Sequence, residues 1–384
     1  MQHYRITARL LSPLMIQENR QSNLSQSVNF IPGSSLRGSL AAKSIRLGGS
    51  PDDGEFRDLF LDNPISFPNL LPSDDTKAAT QILPVTSFSC KRNPGFRKTG
   101  AHGVIDFLAL KLSEKISKDN KHECHCPICG SELKKFIGFW NENLDSPNKF
   151  QPTMLYKRHT GIDRQTGTVA PTIFFTHQSI ANFQKDSATG DYLPQLFIGE
   201  VYLNHQQLNH LKPLLEGSVF LGADRTRGMG EIELTLEPLP TKLDVGDIDD
   251  WNAEFKDKVS IISNVNLPDG IYFSLTLKSD AILVDQFLRP SLSLQLTFPG
   301  IETELKMVTS HTIRGWQASW GLPKPDDVAI KMGSVFLYRY TGDAFDELKD
   351  FLNELSYIGV GLRREEGFGR VTFCDSLHIV KEVL

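Results

Sequence analysis

Cys126-Pro-Ile-Cys129-Gly is the stretch of this 384-residue chain with the most definite chemistry. Two thiolates on one tight turn, with a glycine that lets backbone N–H groups reach sulfur, have the spacing of a zinc knuckle. Tetrahedral zinc needs two further ligands. Cys124 is nearest in sequence, and Cys90, in FSCKRNPGF, is the obvious distant partner, so the expected set is Cys90, Cys124, Cys126 and Cys129. His102, His122 and His125 are the alternatives. Four thiolates leave no position for a substrate, so the zinc expected here is structural and orders the segment around it. Cys374, the fifth cysteine, falls in an apolar run near the C-terminus and reads as core. Crowding three of five cysteines into six residues suits a reducing compartment and a metal better than a disulfide framework.

A second pattern joins glycine to arginine. GADRTRGMGEI (222 to 232) and GVGLRREEGFGRV (359 to 371) superpose with Gly222, Gly228 and Gly230 on Gly361, Gly367 and Gly369, and Arg225 on Arg364. Glycine permits positive φ and close approach by another chain. Outward N–H groups flanked by arginine hold phosphate oxygens through charge-assisted hydrogen bonds, and the guanidinium plane stacks on an unpaired base. Asp224 stands where the second loop has Arg363, and Glu366 where the first has Arg227, so the two loops are not expected to do identical jobs. Neither is a Walker or dinucleotide motif, because no Gly-Lys-Ser/Thr follows and a strand comes next. Each loop has a companion: Ser35-Leu36-Arg37-Gly38 in the first half, Thr312-Ile313-Arg314-Gly315 in the second. Arg314 precedes Gly361 by 47 residues and Arg37 precedes Gly222 by 185, which measures a 138-residue insertion in the first half.

The elements that must carry these loops repeat as well. HYRITARLLSPL and IYFSLTLKSDAIL alternate as half-buried strands. Each Arg-Gly is expected to open a helix, with Ser34 or Ser35 capping the first; Trp316 and Trp320, four apart, fit one helical face, and core packing accounts for them at least as well as base stacking. LNHLKPLLEG and AFDELKDFLNELSYIG are amphipathic helices before each loop, and EIELTLEPL and RVTFCDSLHIV strands after it. This order predicts an α+β protein of two ferredoxin-like units, residues 1–240 and 253–384. The first carries the zinc-binding insertion, about 80–175, and the segment 241–252, within the run PLPTKLDVGDIDDWN (238–252) that is rich in Pro, Gly and Asp, links the two.

Composition sets the outer bounds. The chain is 40% hydrophobic and 23% charged, an ordinary folded composition, and its net charge of −5 gives no global signal for nucleic acid, so any basic site is local. No run of about 18 apolar residues occurs, and the N-terminus lacks a signal-peptide core; a cytoplasmic, membrane-free protein is expected.

FIPGSSLRGSLAAK, AHGVIDF, GIDRQTGTVA and GVGLRREEGFGRV, in that order, resemble the RAMP superfamily of CRISPR-associated proteins, and more specifically the double-RAMP subunit of type III-D effector complexes. The likeness runs essentially end to end, except for 44–82, which carries no usable motif. It implies a non-catalytic, antiviral-defence subunit that binds CRISPR RNA (crRNA) in the group capping its 5′ handle. The implied partners are a large polymerase/cyclase-like subunit, backbone RAMP subunits and, indirectly, target RNA. The implied RNA contacts fall on Ser34, Ser35, Arg37, Lys43, Arg225, Arg227, His311, Arg314, Arg363, Arg364 and Arg370, with the loop arginines also candidates for contacts to neighbouring subunits. Two other readings stand beside it. One is an endoribonuclease that processes crRNA or cleaves target RNA with Asp163 or a histidine; no close His/Lys/Tyr group is evident, and Asp163 reads first as a turn residue. The other is a protein-only scaffold.

Overall fold

A computed structural model describes residues 1–21, 24–73, 79–117, 124–141, 143–186, 189–240, 248–263, 265–317, 320–381 and 383–384. The chain divides into two compact units that are not contiguous in sequence. Unit 1 comprises Met1–Thr80, Phe150–Thr241 and Glu365–Gly367; unit 2 comprises Gln81–Lys149, Lys242–Arg364 and Phe368–Leu384. Six helices are described: α1 (Gly33–Arg46), α2 (Gly54–Phe60), α3 (Leu108–Ser117), α4 (His205–Leu215), α5 (Ile248–Ile262) and α6 (Phe345–Ile358). Together with the strands they make a mixed α/β protein, and no described helix is long and apolar enough to cross a membrane.

Unit 1 is built on a five-stranded antiparallel sheet in the order Val219–Phe220, Glu231–Pro238, Gln2–Leu10, Leu196–Leu203, Leu71–Ser73. Gln2–Leu10 sits in the middle, with Ile6 opposite Leu236 on one side and Gly199 on the other. Its alternation puts Tyr4, Ile6, Ala8 and Leu10 inward, where they meet Leu36 and Leu40 of α1 and Leu208, Leu211 and Leu214 of α4. Asn204 and Gln207 close α4 with a reciprocal capping box. The start of α1 differs from expectation. Pro32, in extended conformation, occupies the N-cap, and no side chain of its own turn caps the helix. The Asn69 side chain does so from another segment, accepting the Gly33 N–H at 2.9 Å, so Ser34 and Ser35 stand half-buried without a capping role.

Unit 2 has a four-stranded antiparallel sheet in the order Ile301–Met307, Val335–Tyr340, Ile271–Leu277, Val371–Phe373. Its central strands are buried on both faces. Phe273, Leu275, Phe336 and Tyr338 pack with Leu348 and Leu352 of α6, while Tyr272, Val335 and Leu337 pack with Leu108 and Leu112 of α3 and Trp251, Phe255 and Val259 of α5. The second face explains the membership of 81–149: α3 supplies apolar cover to strands that would otherwise expose large side chains. Within the predicted linker, 241–247 lie outside the described residues, and 248–252 open α5, with Trp251 buried.

The expected helix after Arg314-Gly315 is instead a β-hairpin. Ser310–Ile313 pairs with Asp327–Ile330, and Trp316–Gln317 with Leu322–Pro323. Trp316 and Trp320 are 63% and 77% exposed, so they are not core residues. The companion motif shares its residue types with Ser35–Gly38 but not its conformation, because this stretch is rich in β-branched and aromatic residues that pair across strands.

Candidate functional site

The two glycine loops are the same structure built twice. Gly222 and Gly361 have φ of 80° and 77°; the next residues but one, Asp224 and Arg363, are left-handed at 57° and 56°. A single 3₁₀ turn follows in each, Arg225–Arg227 and Arg364–Glu366, and Gly230 and Gly369 close the loops at φ 83° and 72°. The hydrogen bonds repeat too. Ala223 N–H donates to the Met15 carbonyl (2.8 Å) and Leu362 N–H to that of Ile282 (2.9 Å); Gly230 N–H goes to Pro13 (2.9 Å) and Gly369 N–H to Asp280 (2.7 Å). Each loop therefore lies against the segment that follows a central strand of its unit's main sheet, Gln2–Leu10 in unit 1 and Ile271–Leu277 in unit 2.

The closing glycines are obligatory for two reasons, left-handed backbone and lack of room. A Cβ on Gly230 would stand 2.0 Å from the Leu221 carbonyl oxygen, and one on Gly369 1.7 Å from that of Val360, whereas Gly228 has open space around it. Gly230→Ala and Gly369→Ala should each lose the roughly 1–3 kcal/mol of a strained backbone and the cost of the clash as well. Gly228→Ala, also left-handed, should lose only the first. Urea unfolding of the three variants checks this, and equal losses at Gly228 and Gly230 would contradict it.

A hairpin docks beside each loop in the same way. Met154–Ile162 and Val169–Ile180 form the first, and Ile180 bridges Leu14; Ser310–Ile313 and Asp327–Ile330 form part of the second, and Ile330 bridges Ala281. A side-chain hydrogen bond fastens each left-handed loop residue to its hairpin, with the acidic and basic partners exchanged. In unit 1 His177 Nδ1 is 3.0 Å from Asp224 Oδ2; in unit 2 Arg363 Nη1 is 2.7 Å from Asp327 Oδ2.

The predicted contact residues divide accordingly. Arg225, Arg227 and Arg364 are exposed on the 3₁₀ turns, and Arg314 is exposed on the second hairpin, 3.5 Å from Asp326. Arg363 is engaged by Asp327 and lies over the Phe368 ring at 5.0 Å. His311 Nε2 is 3.3 Å from Asp280 Oδ2. Arg370 is half-buried, its backbone N–H donating to Ser279 Oγ at 2.9 Å. Arg37 donates to the Phe60 carbonyl at the end of α2 (2.7 Å), and the buried Lys43 ammonium donates to the Glu216 carbonyl at the end of α4. Both cations thus satisfy the terminal carbonyls of helices, a structural task. Asp163 sits at the tip of the first hairpin in an Asx turn, its Oδ1 accepting from Gln165 N–H (2.7 Å) and Thr166 N–H (3.2 Å).

What sequence reading missed is the hairpin itself. Tyr156, Ile162 and Val169 are 66%, 68% and 59% exposed, with Lys157, Arg158 and Arg164 among them, and Trp316 and Trp320 hold the corresponding place in unit 2. Large exposed apolar side chains interleaved with cations were the available signal, and of these Trp316 and Trp320 were read as one face of a helix.

The cysteine site lies in unit 2. Ser87–Cys90 is the middle strand of a small sheet, between Val104–Asp106 and Leu133–Lys135. Cys90, His102, Cys126 and Cys129 bring their ligand atoms within 4.8 Å of one another. Cys90 and Cys129 sulfurs are 3.5 Å apart, and Cys126 Sγ is 3.4 Å from His102 Nδ1. Thiolates about 2.3 Å from a tetrahedral zinc stand about 3.8 Å apart, so the donor set fits that ion. Both Cys90 and Cys126 end in knuckle turns: the N–H groups of Arg92 and Asn93 reach Cys90 sulfur, and those of Ile128 and Cys129 reach Cys126. Burial pushes the Cys90 thiol up, but the hydrogen bonds from Ser131, these N–H groups and Cys129 outweigh it and bring it down to about 5. Ser131 Oγ lies 3.0 Å from Cys90 and 3.1 Å from Cys129, a hydroxyl that orients both sulfurs.

Cys124 is a correction. It stands outside the cluster, beside Lys111 and Glu114 of α3, and its thiol is pushed up by burial. The hairpin closes at Cys126, whose N–H donates to the Ser131 carbonyl, with His125 bridging Glu132, so the chain is still approaching the site at Cys124. His102, an alternative in the sequence, supplies the fourth donor. His122 lies outside the described residues.

None of the curated proteins matches the chain. Among solved structures it is similar to a chain of the Type III-B Cmr-beta complex bound to cognate target RNA, with 12% identity, 92% of this chain and 95% of that one covered, and a TM-score of 0.41. The same complex bound to target RNA and AMPPnP gives 13% identity, 91% and 93% coverage, and 0.38. Cmr4 (Cas7) of Pyrococcus furiosus gives 14% identity, 62% and 100% coverage, and 0.23. A family model matches residues 7–233, more than half of the sequence, and by that match the chain belongs to the RAMP superfamily.

Proposed function

We propose that this protein is a non-catalytic crRNA-binding and assembly subunit of a CRISPR effector complex, each unit being a ferredoxin-like RAMP domain. The observation that carries this reading is the twice-built combination of glycine loop and hairpin: unit 1 presents exposed Arg225 and Arg227 on its loop and exposed Tyr156 on its hairpin, and unit 2 exposed Arg364 on its loop and exposed Trp316 and Trp320 on its hairpin. Guanidinium groups for phosphate and flat rings for unpaired bases are the two needs of a single-stranded RNA site. Motif order supports the finer assignment, a type III-D complex with this subunit at the 5′ handle. Asp163 is occupied by its own turn and takes no part in chemistry. Cys90, His102, Cys126 and Cys129 would hold a structural zinc, which supplies cross-linking and no substrate position when bound.

Arg225→Ala combined with Arg364→Ala should flatten the dependence of log affinity on log salt by about one unit for each lost phosphate contact. Trp316→Ala should weaken binding by about 1–3 kcal/mol if it stacks on a base. Fluorescence anisotropy with a labelled crRNA measures both. Salt-independent, mutation-insensitive retention in a purified complex would instead support the protein-only scaffold.

A further inference from the structure

The hairpin of unit 1 gathers protonatable groups that lie far apart in the sequence. Its register sets Lys157 opposite His177 and His159 opposite Phe175. Residues opposite or diagonal on an antiparallel pair share a face, so Lys157, His159, Phe175 and His177 stand together. The rings agree: His159 stacks on Phe175 at 5.0 Å, and the His159 and His177 centroids are 5.1 Å apart. Loop 1 closes over the same face through His177–Asp224, and Arg227 Nη1 lies 3.5 Å from the other oxygen of that carboxylate.

His177 accordingly has Lys157 and His159 beside it on the hairpin, and Asp224 and Arg227 from the loop. The third element against it, the strand Leu24–Ser27, carries no ionisable residue. Burial pushes His177 below the usual histidine value; Asp224 opposes this, and His159 and Arg227 add to it. Two permanent cations and two imidazoles thus share one carboxylate, a set short of negative charge. Lys157 is exposed and the Arg227 side chain is 60% exposed, so the face is open to a ligand. Unit 2 provides an internal comparison, because the corresponding pair is Asp327–Arg363, which has no histidine to titrate.

We propose that this face binds an RNA phosphate and takes up a proton as it does so. The phosphate oxygens accept from Lys157, Arg227 and the two imidazoles; His177 donates through Nε2, because Nδ1 is held by Asp224. The proton comes from solvent, and no bond of the RNA is broken. This rests on the RNA-binding reading and adds its site and its pH dependence.

The test is affinity of the full chain for a short labelled single-stranded RNA at about pH 6 and about pH 8, either side of the ordinary histidine value near 6.5. Uptake of one proton makes affinity change by up to about tenfold per pH unit, so binding roughly three- to tenfold tighter at the lower pH is expected. His177→Gln should remove most of that difference, so that the ratio of the affinities at the two pH values falls toward one. His159→Gln, at the neighbouring ring of the same face, should reduce the difference in the same direction if the first variant folds poorly. RNA binding whose pH dependence survives both substitutions overturns this site and leaves the RNA reading standing. Absence of RNA binding at either pH overturns both.

Discussion

Cys126→Ser should release the metal, and Cys124→Ser should not. The contrast follows from position: Cys126 is one of four donors within 4.8 Å of one another, and Cys124 lies beside α3. The expected loss is large because a metal on these four donors would hold together a region with little else. The core beneath it is Leu83, Phe96, Val104, Phe136, Trp140 and Leu377, and the strands of the small sheet beside the ligands have four, three and three residues. Structural zinc contributes on the order of 10–16 kcal/mol of apparent binding energy in small domains, comparable to the whole stability of a typical one, about 5–15 kcal/mol. Without it, residues 87–136 should open and become sites of limited proteolysis. Metal analysis with proteolysis of the wild type, Cys126→Ser, His102→Ala and Cys124→Ser is the check. One zinc retained in His102→Ala and lost in Cys124→Ser would restore the four-thiolate site. No zinc in the wild type would remove the site altogether.

Much of this arrangement was legible in the sequence because the governing residues act locally. Glycines that must be left-handed mark the loops wherever they occur, and Gly222, Gly230, Gly361 and Gly369 superposed correctly before any fold was known. The strand Gln2–Leu10 alternates because one face of its sheet is solvated; α4 and α6 declare themselves by their amphipathic periodicity. The misreadings share a different cause. Helix capping by Asn69, the fourth donor His102 and the covering of Tyr272 by α3 are contacts between segments far apart in the chain, and spacing cannot register them. The hairpin at Trp316 failed for a third reason: two tryptophans four apart satisfy helical spacing as well as they satisfy exposure on a turn, and only the surrounding β-branched residues favoured the strand.

Asp106→Asn should be among the most destabilising single changes in unit 2. Asp106 is the last residue of the strand Val104–Asp106, and its side chain is 2% exposed. One oxygen accepts from Thr86 Oγ1 and lies 3.0 Å from His378 Nδ1; the other accepts Leu108 N–H at 3.0 Å and lies 3.9 Å from Lys258 Nζ. Lys258 in turn donates to the His378 carbonyl at 2.8 Å. One carboxylate thus ties the insertion to α5 and to the C-terminal turn. An amide would leave the Lys258 ammonium buried without its counter-charge, and breaking a buried pair on one side costs about 3–5 kcal/mol. The pH dependence distinguishes this from simple loss of packing. Burial raises Asp106, but His378 and Lys258 outweigh it and hold the carboxyl below its ordinary value. Its contribution is therefore present above about pH 4, the unfolded value, and is lost as pH falls through the lower folded one. His378 runs the other way: burial lowers it, Asp106 more than compensates, and the net shift is upward. Its contribution is complete below about pH 6.5 and is lost as pH rises through the folded value. Stability of unit 2 should then be greatest between about pH 4 and 6.5 and decline on the alkaline side, and Asp106→Asn should flatten that decline. All four tryptophans belong to unit 2, so intrinsic fluorescence during urea unfolding reports on it directly. A variant that unfolds within about 1 kcal/mol of wild type, with the alkaline decline intact, would show that the three charges are bystanders to apolar packing.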